Sequence, residues 1–252
     1  MPDFRVSGQV KTDLGCVRQL NEDSVLARPE LGLWAVADGM GGHAHGDWAS
    51  QHIVGELDKV VRTDFDRQLT AATDAILNAN DHILAEGAAR GAQMGSTVVM
   101  LMVGDGRFAI AWAGDSRAYL RRADTLYQLT VDHTQVQHLV ERGLLSPDEV
   151  EGHPMGHVLT RAVGVDAGLA LDVVTDTIQA GDVFLLCTDG LTNQVSDQEI
   201  ADVLGAHAPD AAPALLIEMS CSRGAPDNVS VATVEVREMT VLQFAGGGED
   251  LP

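Results

Sequence analysis

Apolar residues fall into two rhythms along the chain. Blocks that alternate with polar residues or run unbroken through β-branched and aromatic ones occur at 4–12 (FRVSGQVKT), 24–28 (SVLAR) and 31–37 (LGLWAVA), and they predict strands. From Asp47 to about Arg90 the spacing becomes three and four residues with no proline, which predicts two amphipathic helices. Strand rhythm returns at 96–103, 107–114, 117–122 and 125–130, with Gly-Asp-Gly at 104–106 as a hairpin turn. Residues 132–166 mix His, Gly, Pro and charge around one short helical stretch, TQVQHLVERG, and read as a flap. Strands at 169–178 and 183–188, helical patterns at 197–206 and 210–222, and a strand at 228–236 complete the pattern.

Helices that come in consecutive pairs disfavour a doubly wound parallel sheet. They favour an α+β arrangement of two mainly antiparallel sheets with a helix pair on each outer face. No linker or repeat divides the chain, so residues 1–240 are expected to form a single domain and 241–252 a flexible C-terminal tail. A hydrophobic content of 45% supports a sizeable core.

The formal charge of −21 argues against nucleic acid and anionic lipid as partners. The first ten residues lack a basic start followed by an apolar block, and no run approaches the roughly 20 apolar residues of a membrane span. Cys16, Cys187 and Cys221 are odd in number and far apart, which suits a reducing compartment. The expectation is a cytoplasmic protein with no membrane partner, a monomer by default.

Three apolar runs finish near an acid: Asp38 after LWAVA, Asp115 after AIAWAG and Asp189 after VFLLCT. Asp227 instead precedes NVSVATVEV, so an antiparallel final strand would bring it to the same rim. Taken singly, each reads as a turn former or helix cap. Together they crowd like charges that a hard divalent cation would neutralise, and the oxygen donor set suits Mg²⁺ or Mn²⁺ better than zinc. Gly39 is expected to turn the chain and present its carbonyl beside Asp38, with Gly41 and Gly42 leaving space. Arg18 offers a fork for phosphate oxygens, although taken alone it reads better as a surface ion pair, and Glu22 and Asp23 add acids able to hold waters.

In order, the segments TDLGCVRQLNED, AVADGMGGH, GSTVV, AWAGDSRAYL, LTVDHT, LTRAVG, LLCTDGLT and DNVSVATVEV resemble those of the metal-dependent protein phosphatases of type 2C, the PPM family, in its compact bacterial form. The resemblance spans about residues 5–236. It implies a four-layer α-β-β-α sandwich that hydrolyses phosphoserine and phosphothreonine in proteins, with a Ser/Thr protein kinase as a cognate partner. Carried over position by position, Asp38 bridges two ions, the Gly39 carbonyl joins one, and Asp189 and Asp227 hold the other. Asp115 and Asp189 would bind a third, Arg18 would clamp the phosphate, and Glu22 and Asp23 would orient waters. Two ions about 3.5–4 Å apart lower the pKa of a bridging water, whose hydroxide attacks phosphorus. Animal members carry His where this chain has Met40, so leaving-group protonation falls to a metal-bound water, or else to His133 or His43.

Other readings are weaker. GMGGHA (39–44) fits the dinucleotide fingerprint, but the surrounding acids would repel a pyrophosphate and Asp58 lies in a helical pattern. His43 and His45 with His52 match no helical i, i+4 ligand pair and read as surface histidines. A non-catalytic phosphoprotein-binding module of the same fold is the alternative from another class.

Overall fold

The computed structural model describes residues 4–41, 45–146, 149–150 and 153–239. Strands β1 (Phe4–Asp13), β2 (Asp23–Arg28) and β3 (Leu33–Met40) lead into helices α1 (Gly46–Asp58) and α2 (Phe65–Arg90). The short β4 (Gly95–Ser96) precedes β5 (Val98–Gly104), β6 (Arg107–Ala113), β7 (Arg117–Arg122) and β8 (Thr125–Gln128). Helix α3 (Gln135–Glu141), β9 (Asp172–Thr177), β10 (Val183–Cys187), α4 (Asp189–Thr192), α5 (Asp197–Ala206), α6 (Ala212–Ser222) and β11 (Val229–Glu238) follow.

The strands form two antiparallel sheets, ordered β1-β11-β10-β7-β8 and β2-β3-β5-β6-β9, with β4 paired to β3. Both faces of each sheet are covered, which explains the unbroken apolar runs. In β5, Val99, Leu101 and Val103 face the opposite sheet, while Val98, Met100 and Met102 face α1 and α2. In β10, Phe184 and Leu186 join that inter-sheet core, and Val183, Leu185 and Cys187 pack under α5 and α6. Phe108 and Phe184 meet between the sheets at 4.8 Å between ring centroids. The result is the expected four-layer α-β-β-α sandwich.

Local chemistry agrees with the elements. Asp64 caps α2 by accepting from the Arg67 N–H at 3.1 Å, and Gly91 ends the helix in the left-handed region at φ 63°. Ser196 and Glu199 form a capping box on α5. Asp105 and Gly106, both at positive φ, make the two-residue turn between β5 and β6.

Two boundaries differ from expectation. Residues 29–31 form a 3₁₀ turn in place of the start of a strand, and β3 continues past Asp38 to Met40 because β4 pairs with its end. Within the expected flap, α3 is present, the isolated bridge Thr134–Leu159 joins the two ends of the segment, and Ser96–Val163 ties it to the sandwich. The expected tail, 241–252, lies outside the described residues, as do Gly42 and His43. Among the described residues no helix is long and apolar enough to cross a membrane.

Candidate metal centre

Strand direction gathers the acids. Because β2 and β3 are antiparallel, Asp23 sits directly opposite Asp38. Because β11 runs antiparallel to β10, the start of one adjoins the end of the other, and the Thr188 N–H donates to the Ser230 carbonyl at 3.1 Å. Asp189, just after β10, and Asp227, just before β11, therefore share one end of their sheet. Asp115 lies where the chain crosses from β6 in one sheet to β7 in the other. Arg18, Glu22, Asp38, Gly39, Asp115, Asp189 and Asp227 all line one cavity of about 770 Å³.

Neighbours fix each group. The Asp38 N–H donates to Thr97 Oγ1 at 3.0 Å, and the Asp38 carbonyl accepts from Thr97 N–H at 2.8 Å and Ser96 Oγ at 2.9 Å. Thr97 Oγ1 also meets Ser116 Oγ at 2.7 Å, which couples the Asp38 strand to the crossing that carries Asp115. Asn228 stitches the Arg18 loop: its Oδ1 accepts from Glu22 N–H, and its Nδ2 donates to the carbonyls of Leu14 and Leu20. Arg18 donates to Asp227 Oδ2 at 2.7 Å, so the ion pair read as its plain alternative is present, and it is made with one of the clustered acids.

Asp23 is buried and does not line the cavity; Ser230 and Thr188 hydroxyls donate to its Oδ2 at 2.6 and 3.0 Å. Those two residues, with Ser96, Thr97 and Asn228, went unread in the sequence. Their signal is a buried polar residue at or inside an apolar strand.

The electrostatics is that of carboxylates held together in a dry place. Burial first, then the charges of Asp23, Asp189, Asp115 and Asp227, push the Asp38 pKa well above its usual range. Asp23 rises to about 7 mainly through burial, against the hydroxyl hydrogen bonds that favour its charged form. Asp115 also rises to about 7, through burial and then the charges of Asp189 and Asp132. Buried carboxylate oxygens on Glu22 (Oε1), Asp23 (Oδ1) and Asp189 (Oδ1) have no hydrogen-bond partner. Unpartnered buried oxygens are costly, and an oxygen-only donor set fits a hard divalent cation.

Gly39 does not serve as the expected turn. It lies within β3 and does not turn the chain; the positive φ belongs to Gly41 (146°). A Cβ on Gly39 would sit 2.1 Å from the Gly46 carbonyl oxygen and 2.6 Å from that of Glu22, so glycine is needed for close approach of α1 and the Arg18 loop. Gly39→Ala is expected to cost more than about 3 kcal/mol in urea unfolding, because backbone meets the new methyl on both sides.

Histidines divide clearly. His133 Nδ1 accepts from Gly114 N–H at 3.1 Å and its Nε2 faces Asp172 at 3.1 Å, so both ring nitrogens serve the wall behind the site and neither faces the cavity. His43 is outside the described residues. His157, from the flap, was not singled out in the sequence, yet it lines the cavity with Nδ1 3.8 Å from Asp189 Oδ2. That carboxylate raises its pKa. No local pattern marks it, because the contact joins distant segments. Met40 lines the same cavity.

The family described as Protein phosphatase 2C matches residues 17–221. The serine/threonine protein phosphatase PstP of Mycobacterium tuberculosis is 37% identical over 254 residues, which cover 95% of this chain and 48% of that protein. This chain thus spans about half the length of that relative. Protein phosphatase PhpP of Streptococcus pneumoniae is 36% identical over 238 residues, 90% of this chain and 96% of that one. Among solved structures, the catalytic domain of PstP in complex with two manganese ions superposes with a TM-score of 0.82 at 34% identity, covering 94% of this chain and all of that one. The match runs through the segments that carry Arg18, Asp38, Asp115 and Asp189, and the chain belongs to the protein phosphatase 2C family.

Proposed function

We propose that this chain is a metal-dependent serine/threonine protein phosphatase that hydrolyses phosphoserine and phosphothreonine in proteins. The observation that carries the reading is the convergence of Asp38, Asp115, Asp189 and Asp227 in one cavity with Arg18 beside them. The named phosphatases among its relatives, one with two manganese ions, support it. The non-catalytic alternative has no residue in its favour, since each candidate metal acid is present.

Asp38, the Gly39 carbonyl, Asp189 and Asp227 would hold two divalent ions, Mg²⁺ or Mn²⁺, and Asp115 with Asp189 a third. When bound, such a pair acidifies coordinated water toward neutrality and offsets negative charge on phosphoryl oxygens. The chain's own residues supply order. Thr97 and Ser96 lock the backbone of Asp38, so its carboxylate is aimed before any ligand arrives. Asn228 holds the loop that presents Glu22 to the cavity, where its carboxylate would orient water. Asp227 steers Arg18 over the cavity, where its remaining N–H groups can grip two phosphate oxygens.

Arg18→Ala is expected to lower kcat/KM for a phosphothreonine peptide by about 10- to 100-fold, chiefly through KM, as befits a lost charged hydrogen bond of about 1.5–3 kcal/mol. Arg18→Lys should recover only part, since an ammonium keeps the charge and loses the fork. Steady-state kinetics on both variants checks this.

Residues 159–162 of the flap line the cavity, so we assign the segment 132–166 to substrate access. A cognate Ser/Thr protein kinase, a cytoplasmic setting and a monomeric state complete the reading. Manganese-dependent release of phosphate from a phosphothreonine peptide, suppressed by EDTA, tests it; no turnover with either Mn²⁺ or Mg²⁺ would overturn it.

A further inference from the structure

On the outer face of the sandwich, away from the acidic cavity, α1 and α2 bring together His52, Glu56 and His82. One ligand atom from each lies within 4.8 Å of the others. His52 Nε2 is 3.3 Å from His82 Nδ1 and 3.8 Å from Glu56 Oε1. Ligands on a tetrahedral zinc-sized ion with bonds of about 2.0–2.1 Å stand about 3.3–3.4 Å apart, so His52 is already near that spacing from both partners, and His82 and Glu56 have to close to it from no more than 4.8 Å. His52 and Glu56 are an i, i+4 pair on one helix, and His82 comes from the neighbouring one.

We propose that His52, Glu56 and His82 form a second metal site, distinct from the acidic centre, that takes a zinc-class transition ion and clips α1 to α2. Two imidazoles and one carboxylate are the donor set of Zn²⁺, whereas Mg²⁺ prefers the all-oxygen cluster.

The surroundings hold the ligands in place. The His52 ring stacks on Trp48 at 4.9 Å and 7° between planes, Arg90 lies over the same indole at 5.5 Å, and Glu86 anchors Arg90 at 2.6 Å. Partial burial lowers the His52 pKa, keeping the ring neutral and able to bind metal near pH 7. The competing group is Lys59, whose ammonium is 2.7 Å from Glu56 Oε1. Its side chain is 70% exposed and free to swing into solvent when a cation takes that oxygen. The site would matter structurally, because α1 begins at Gly46, against Gly39 and Glu22 of the acidic centre. Spacing to His43 and His45 does not reveal the site, because the partners of His52 are one turn along α1 and across on α2.

Equilibrium dialysis of the full chain against Zn²⁺ in excess Mg²⁺ tests the proposal, with Asp38→Asn used to weaken the acidic centre. Asp38→Asn should bind one zinc per chain, and adding His82→Ala should weaken that binding at least about a hundredfold, since loss of even an outer partner costs about 10–100-fold. His52→Ala should do the same, while the single His82→Ala variant keeps Mg²⁺-dependent hydrolysis as its check of folding. Zinc binding unchanged by His82→Ala and by His52→Ala, or no zinc bound by Asp38→Asn, would overturn the proposal; the imidazole contact would then be a hydrogen bond only.

Discussion

Asp38→Asn is expected to lower phosphatase kcat by a factor on the order of a thousand or more, at least about 4 kcal/mol of barrier, and to make the metal-free protein more stable. The two effects have one cause. Asp38 is the carboxylate on which the charges of Asp23, Asp115, Asp189 and Asp227 all bear, in a buried position that resists ionisation. The amide keeps the shape and removes the charge, so repulsion falls while the candidate bridging ligand is lost. A merely structural aspartate would show the opposite sign on stability, since a fold-holding carboxylate destabilises when neutralised. Chemical denaturation in EDTA at pH 8, beside kinetics in Mn²⁺, reads both; near-normal turnover by the Asp38→Asn variant would remove Asp38 from the site.

Withdrawal of metal is the second large effect, and its pH dependence has a definite sign. Asp23 and Asp115 have pKa values of about 7 in the metal-free fold, against 3.8 as the ordinary value. Between those limits the folded chain binds more protons than the unfolded one, so metal-free stability falls as pH rises from about 4 to about 7. The penalty is absent below the unfolded pKa and complete above the folded one. At about 1.4 kcal/mol per pKa unit the two groups contribute several kcal/mol. Bound Mg²⁺ cancels this penalty. The gap in Tm between Mg²⁺-loaded and EDTA-treated protein should therefore be wide at pH 8 and narrow progressively toward pH 5, where protons displace the cation. Activity should vanish in EDTA throughout. A Tm gap independent of pH would mean that the ion does not act on the ionisation of these carboxylates.

Much of the fold was legible because its strands are buried on both faces. A run such as VVMLMV has no polar side to hide, and its length and flanking turns distinguish it from a helix. Paired helices then left little freedom of layering. The acids at strand ends were equally visible, because each interrupts or follows an apolar run. What could not be read depends on register or on packing between distant segments. That Asp23 faces Asp38 follows only from the β2–β3 pairing, and its hydroxyl partners come from residues 188 and 230. Gly39 was taken for a turn because close backbone approach and a turn leave the same residue in the sequence. His157, and His82 beside His52, gain meaning only when tertiary structure brings them to their partners.

The central claim is that Asp38, Asp189 and Asp227, from three separate segments, jointly hold a pair of divalent cations. Anomalous scattering from crystals grown with Mn²⁺ tests it most directly. Two peaks are expected in the cavity, both within about 2.0–2.3 Å of Asp38 carboxylate oxygens, one also on the Gly39 carbonyl and the other on Asp189 and Asp227. Peaks lying away from Asp38, or a cavity without manganese in crystals of enzyme that still turns over, would contradict it.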